Sequence, residues 1–286
     1  FFGGACTYCI IPQEVMELGC LLNYDGDSYF EASLGEPMSC IIGGYHANYH
    51  TNKQNYNHEM GTKVDGNIIV LGGCGPMGLG AVSYALCMEN KPKLVVVTDV
   101  DDSKIERAKK VISEEEAEKA GVKLMYVNTA KMDDEVKELI DLTDGHGYDD
   151  VFVYVPIKQV AELADKLLAF DGCMNFFAGP TDNQFKAEIN LYNCHYTSSH
   201  IIGTTGGNTD DLIEAIDLSA KKLIKPAVMV THIGGIDSIA EATINLPNIP
   251  GGKKLTYTQF NMPLTAIDDF EELGKNDPLF KKLSDA

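Results

Sequence analysis

Three glycines, Gly73, Gly75 and Gly78, stand in the stretch LGGCGPMGLG at the spacing G-x-G-x-x-G, and Asp99 follows 21 residues after the last of them. Where such glycines close a strand and open a helix, each has a separate job. The first permits a tight turn, the second lets backbone come close to a pyrophosphate, and the third lets helix pack on strand. The helix N-terminus then offers open N–H groups and the positive end of its dipole to phosphates. Pro76 and Met77 complete this turn. An acid about 20 residues further on accepts hydrogen bonds from a ribose, and Asp99 has that spacing. The pattern predicts a bound dinucleotide. Asp99 favours NAD because a 2′-phosphate would be repelled, while Lys104 and Arg107 leave room for NADP.

A second chemical group is Glu36, which enters the apolar run of EASLGEPMSCIIGG beside Pro37. A carboxylate in such a place must be exposed, paired or bound to a cation. Pro37 suits a first helical turn, where an acid is favoured by the dipole. The residues alone leave that role and a metal-ligand role both open. His46 and His50 are four apart on a predicted helix and would share one face, followed by His58 and Glu59. The expectation is that the two helical histidines form hydrogen bonds within or beside the domain interface. In CTYC, Cys6 and Cys9 would point to opposite faces of a strand, so neither metal nor redox chemistry is expected there. The eight cysteines read as reduced.

These groups need a scaffold. From residue 66, the apolar runs GNIIVLGG, KLVVVTD, VKLMYVN, DVFVYV, CMNFFAG and SHIIGTTGG alternate with amphipathic stretches such as KQVAELADKLLAF. That alternation predicts an α/β fold with a six-stranded, doubly wound parallel (Rossmann) sheet. Residues 51–205 are expected to form it. Residues 1–50 and 206–286 are expected to form a second, partial catalytic domain with connecting helices, β-rich up to about residue 35. Ligands on open sheets of this kind lie at the carboxyl ends of strands. That rule places Val155 and Pro156, then Phe177, Ala178 and Gly179, then Gly203, Thr204 and Thr205 around the dinucleotide.

The formal net charge is −19, from 42 acidic and 23 basic residues, which argues against nucleic acid or an anionic membrane as the partner. No apolar run of about 18 residues and no secretory leader is present, so a cytoplasmic location is expected. The chain opens on Phe1-Phe2-Gly3-Gly4, and it is expected to be the middle of a longer protein.

Several stretches resemble a known family, the zinc-dependent medium-chain alcohol and polyol dehydrogenases. VLGGCGPMGLGAV is similar to that family's G-x-G-P-x-G turn, LTDGHGYDDVF to its strand-leading segment, and EPMSC to the Glu-Pro of its polyol members. More narrowly, EPMSCIIGGYHANYH, CMNFFAGPTD, GTTGGNTDDL and VMVTHIGGIDSIAEATINLPNIPGGKK resemble the L-sorbose-1-phosphate reductase branch. The resemblance implies a GroES-like catalytic domain beside the Rossmann domain. It also implies hydride transfer between NAD(P)H and a ketose phosphate or polyol, most narrowly L-sorbose 1-phosphate to D-glucitol 6-phosphate, with zinc polarising the carbonyl oxygen. In it Glu36 becomes the third protein ligand of the zinc, after a cysteine and a histidine supplied earlier in the family's chain. Backbone near Phe177, Ala178, Gly179, Thr204 and Thr205 holds the carboxamide, and Lys254 or Lys253 reaches the pyrophosphate. The family's earlier ligands do not appear in this sequence, so no catalytic residue is assigned and zinc is expected only in the full-length protein. The alternative is a truncated NAD-binding module without zinc or activity. A homodimer or homotetramer is expected, joined along the edge strand SHIIGTT.

Overall fold

The six apolar runs are strands of one sheet in the computed structural model, which describes residues 3–52 and 54–285. Two short helices, α1 (Gln13–Glu17) and α2 (Tyr29–Ser33), lead to α3 (Gly35–Ala47) and a small antiparallel pair, β1 (Tyr49–Thr51) and β2 (His58–Met60). There follow β3 (Asn67–Leu71), α4 (Pro76–Ala85), β4 (Leu94–Asp99), α5 (Asp102–Val111), α6 (Glu114–Lys119) and β5 (Lys123–Asn128). The unit is completed by α7 (Glu135–Asp141), β6 (Tyr148–Val153), α8 (Lys158–Leu167), β7 (Leu168–Phe176), α9 (Leu191–Thr197), β8 (His200–Gly203) and α10 (Thr209–Ala220).

The strand order is β5-β4-β3-β6-β7-β8, with every neighbouring pair parallel. The chain winds outward one way from β3 and then the other way from β6, so a crevice opens at the carboxyl ends of these two strands. Every residue of β3, β4 and β6 is buried, as strands covered on both faces must be. Leu139, Leu163, Ala164 and Leu167 from α7 and α8 join Ile69, Val151 and Val153 in one apolar cluster. Tyr45 of α3 stacks on Phe152 with ring centroids 4.6 Å apart.

Two compact units divide the chain, Gly26–Pro226 and Phe1–Asp25 with Ala227–Ala286. The larger unit therefore takes in α3 and α10, which the sequence assigned to the other domain. The reason is packing. Met38, Ile41, Ile42 and Tyr45 of α3 are fully buried, and a Cβ on Gly43 would stand 2.8 Å from Asp211 Oδ2 on α10. In the smaller unit β9 (Val230–Gly235), α11 (Ile239–Asn245), β10 (Lys253–Tyr257), β11 (Thr265–Ala266), α12 (Phe270–Gly274) and α13 (Pro278–Asp285) follow in order. Its three strands run β10-β9-β11, parallel then antiparallel, and its core is Met262, Phe270 and Phe280.

Residues up to 35 differ from the β-rich expectation: among the described ones there are two helices and no strand. A run such as NYDGDSYF finds no partner strand, and a lone strand leaves its backbone groups unpaired. All eight cysteines are free, Cys6 and Cys9 included. Among the described residues no helix is long and apolar enough to cross a membrane.

His46 and His50 are not on one helix. α3 ends at Ala47 and Asn48 is extended (φ −59°, ψ 154°), which carries His50 onto β1. There it joins a buried polar network under β6 and β7. Asp150 accepts from Asn48 Nδ2 (2.6 Å) and from the Lys63 N–H (2.8 Å), and Asn175 Nδ2 donates to Asn48 Oδ1 (3.1 Å). His50 Nδ1 lies 2.9 Å from the Asp171 carbonyl, and its Nε2 lies 3.3 Å from Asp150 Oδ1 without the alignment of a hydrogen bond. Burial on its own lowers the pKa of His50; the Asp150 carboxylate outweighs it, and the net shift is upward. A raised folded-state pKa stabilises fully below the unfolded value of about 6.5, and that stabilisation is lost as pH rises through the folded value. In urea denaturation, the stability gap between the parent chain and His50→Gln is expected to be wider at pH 6 than at pH 9. A gap that is flat or widens with pH would remove the Asp150 contribution.

Candidate functional site

At the end of β3 the chain reverses through Gly72, whose φ of +68° favours glycine and whose added Cβ would stand 2.5 Å from Val155 Cγ1. The Gly73 N–H donates to the Thr98 carbonyl at 2.8 Å, tying the turn to β4. A side chain at Gly73 would run into Val70 Cγ1 and Val97 Cγ1, each 2.7 Å away. One at Gly78 would stand 2.3 Å from the Gly73 carbonyl oxygen. One at Gly75 would meet nothing within 4 Å. Two of the three glycines are thus demanded by the protein's own packing and the third by open space. Gly75 is the N-cap of α4, no side chain caps that helix, and Pro76 opens it. Its first-turn N–H groups are consequently left for an anion.

The turn forms one wall of a cavity of about 380 Å³. Gly75, Pro76, Met77, Gly78, Asp99, Lys104 and Val155 all line it, so seven of the residues expected around a dinucleotide come together. Asp99 is only 8% exposed, and its Oδ1 accepts the N–H groups of Val100 (2.8 Å) and Asp101 (3.2 Å). These bonds hold the carboxylate in place, while Oδ2 has no partner among the described residues. Cys74, between the glycines, is buried, and burial pushes its thiol up to about 12, so it stays protonated and unreactive.

Other expected residues lie elsewhere. Gly73 sits under the turn rather than on the cavity. Phe177 packs on Tyr154 with centroids 4.6 Å apart, the Ala178 N–H donates to the Val153 carbonyl, and Thr204 Oγ1 donates to Asn175 Oδ1 at 3.1 Å. Gly179 has open space around it, and Thr205 is exposed. None of these five lines the 380 Å³ cavity. Lys254 belongs to the smaller unit, where its Nζ donates to the carbonyls of Pro250 (2.8 Å) and Gly252 (2.7 Å) and burial lowers its pKa. Sequence reasoning missed Tyr154, Thr129, Glu135 and Ile157, which line the cavity. Tyr154, Thr129 and Ile157 follow strand ends and could have been found by that rule; no sequence signal separates Glu135 from the other acids of its helix.

Glu36 is exposed in the first turn of α3, and Cys40 Sγ donates to its Oε1 at 3.3 Å. Burial, followed by the hydrogen bond and charge of Glu36, raises the Cys40 pKa. Among the described residues no group of three or more His, Cys, Asp or Glu could hold a metal ion. The residues present therefore do not make up a zinc site, and no chemical step is derived through one. His46 is bound by Asp211 (2.7 Å) and lies 3.2 Å from the Tyr84 hydroxyl, while His58 stacks on Tyr49.

With this geometry in hand, known proteins are informative. The chain is 54% identical over 284 residues to the uncharacterized protein YggP of Escherichia coli K12, covering 99% of this chain and 67% of that protein. It is 51% identical over 282 residues to mannitol-1-phosphate 5-dehydrogenase of Aliivibrio fischeri, covering 99% of this chain and 67% of that one. To L-sorbose 1-phosphate reductase of Klebsiella pneumoniae it is 45% identical over 272 residues, covering 95% and 65%. The chain thus spans about two thirds of the length of these relatives. Among solved structures, 2R,3R-butanediol dehydrogenase from Bacillus subtilis matches with TM-score 0.62 at 19% identity, over 81% of this chain and 58% of that one. An alcohol dehydrogenase (rspB) from Escherichia coli CFT073, complexed with NADH, also matches with TM-score 0.62, at 18% identity over 81% and 60%. The family described as zinc-binding dehydrogenase matches residues 76–221. On that match and on these identities, the chain belongs to the zinc-binding dehydrogenase family.

Proposed function

We propose that this chain is the cofactor-binding part, with a portion of the catalytic domain, of an oxidoreductase that exchanges hydride between NAD(P)H and a ketose phosphate or polyol. The observation that carries the reading is the open space at Gly75 beneath an uncapped helix, in a cavity also lined by Asp99, whose Oδ2 has no partner among the described residues. A pyrophosphate fits the first and a ribose the second. When bound, the nicotinamide supplies or accepts the hydride. The chain's own residues bind and orient. The α4 N–H groups hold phosphate, Asp99 accepts the ribose hydroxyls, and backbone around Phe177, Ala178, Gly179, Thr204 and Thr205 holds the carboxamide. Lys254 is the proposed cation for the pyrophosphate.

The relatives named for mannitol 1-phosphate and L-sorbose 1-phosphate support a polyol-phosphate substrate. L-sorbose 1-phosphate to D-glucitol 6-phosphate is the narrowest form of the proposal, in a cytoplasmic homodimer or homotetramer paired along β8. Zinc belongs to the full-length protein in this reading, with Glu36 as one ligand. A cofactor-binding module without zinc or activity is the second reading, favoured by the Glu36 carboxylate having only the Cys40 thiol as a side-chain partner among the described residues.

NADH is expected to raise the unfolding midpoint of the chain under both readings, by about 2.7 kcal/mol of stabilisation at a hundredfold excess over Kd. Oxidation of NADH by a ketose phosphate is expected only under the first. No thermal shift at millimolar NADH would end both. Asp99→Ala is expected to weaken NADH about tenfold and to narrow its advantage over NADPH. An unchanged preference in calorimetric titration would remove Asp99 as the ribose acceptor.

A further inference from the structure

A second cavity, of about 510 Å³, lies within the larger unit at the other end of α4. That helix starts at the phosphate turn and runs for 10 residues, about 15 Å, to Ala85. Tyr84 near its end and the loop leading into β4 line the cavity, together with His46 from the last turn of α3, Glu214 of α10 and Thr62 from the segment between β2 and β3. The polar groups are held in place. Tyr84 is 3% exposed, packs edge-on against Tyr45 with centroids 5.1 Å apart, and donates from its hydroxyl to Glu214 Oε1 at 2.9 Å. Acceptors on this lining nevertheless go without a donor among the described residues. Glu214 Oε2 has His46 Nε2 at 3.5 Å and no hydrogen bond. Glu89, on the loop, forms neither a hydrogen bond nor an ion pair. Thr62 is only 7% exposed, yet its Oγ1 has no partner. A hydroxyl buried to that degree costs stability unless something supplies its hydrogen bond, so it points to a ligand group.

Charge decides the class of that ligand. No Lys or Arg lines the cavity, and its one basic group, His46, already has Asp211 Oδ1 2.7 Å from its Nδ1. The carboxylates of Glu89 and Glu214 therefore set the sign, and a cation is attracted. Among the described residues no group of three or more His, Cys, Asp or Glu could hold a metal ion, which leaves an organic cation. A primary ammonium carries three N–H donors and no acceptor, the complement of a lining whose free groups are acceptors. Met60, Met88 and Leu218 offer apolar surface to the carbon chain behind it. We propose that this cavity is an accessory site for a primary alkylammonium ion, whose head group donates to Glu214 Oε2 and Thr62 Oγ1 while Glu89 adds attracting charge. The site lies at the far end of α4 from the phosphate turn and does not depend on the dinucleotide reading.

Titration of n-butylammonium chloride into the chain, followed by NMR of isotope-labelled methionine methyl groups, tests it, with n-butanol as the uncharged probe of the same shape. Butylammonium is expected to shift the Met60 and Met88 signals with a Kd of about 1 mM and to leave Met77, in the dinucleotide cavity, unmoved. n-Butanol should bind at least about tenfold more weakly. Glu214→Gln keeps an acceptor for the Tyr84 hydroxyl but removes the charge, and should weaken butylammonium about tenfold. Thr62→Val removes only the hydroxyl. It should weaken the probe about fivefold and melt no lower than the parent, because the lost group leaves no partner behind. Circular dichroism melts establish that both variants are folded. Met60 and Met88 signals that stay still up to about 50 mM butylammonium, equal binding of n-butanol, or parent affinity in either folded variant overturns the site.

Discussion

Gly78→Ala is expected to lower the thermal unfolding midpoint of the larger unit by about 10 °C. The added Cβ would stand 2.3 Å from the Gly73 carbonyl oxygen and 2.5 Å from Gly73 Cα. Both neighbours are backbone, so no side-chain rotation relieves the clash. The turn cannot yield either, since Gly73 is itself wedged against Val70 and Val97 and its N–H is bonded to Thr98. To make room, α4 must lift from the sheet, taking Leu79, Ala81 and Val82, all fully buried, partly out of contact. Overpacking of a well-filled interior costs about 1–3 kcal/mol, and a backbone obstacle puts this case at the upper end. For a unit of this size each kcal/mol moves the midpoint by about 2–4 °C. Circular dichroism melts of the two proteins measure the difference. A midpoint within about 2 °C of the parent would mean that the close approach of α4 to the turn is not what glycine provides.

Gly75→Asp is expected to do the opposite: leave the fold intact and abolish dinucleotide binding. Nothing lies within 4 Å of an added Cβ, and the backbone at φ −80°, ψ 175° is open to any residue. Aspartate is also among the best N-cap residues, so α4 gains a cap that it lacks. The melting midpoint should therefore stay level or rise by a few degrees. The same carboxylate would occupy the place and satisfy the N–H groups that a pyrophosphate needs, and it adds like charge. A loss of NADH affinity of at least about a hundredfold follows, of order 3 kcal/mol. Binding within tenfold of the parent would show that the phosphates do not approach this turn. Measured together, the two glycine variants separate packing from recognition within a single loop of six residues.

Asp150 shows where sequence reasoning reached its limit. Asp150 lies inside the apolar run DVFVYV, and sequence reading passed it over as part of a strand. Its donors come from Asn48 and Lys63, brought to it only when β6 pairs beside β3. Lys254 was selected from PGGKK by resemblance, and the structure occupies its ammonium with two local carbonyls. His46 and His50 were placed on one helix because a spacing of four fits that geometry. The helix stops between them, and each is held by a carboxylate distant in sequence.

The strand-turn-helix around Gly73, Gly75 and Gly78, the acid at the end of the next strand and the six strands of the sheet were legible without coordinates. Each depends on residues close in the chain: a turn needs its own glycines, and a strand covered on both faces needs an unbroken apolar run. The order of the strands and the membership of α3 and α10 in the larger unit depended on the tertiary structure. Those features arise from contacts between segments many tens of residues apart, such as Gly43 against Asp211, and local pattern carries no record of which distant surface will fill a given space.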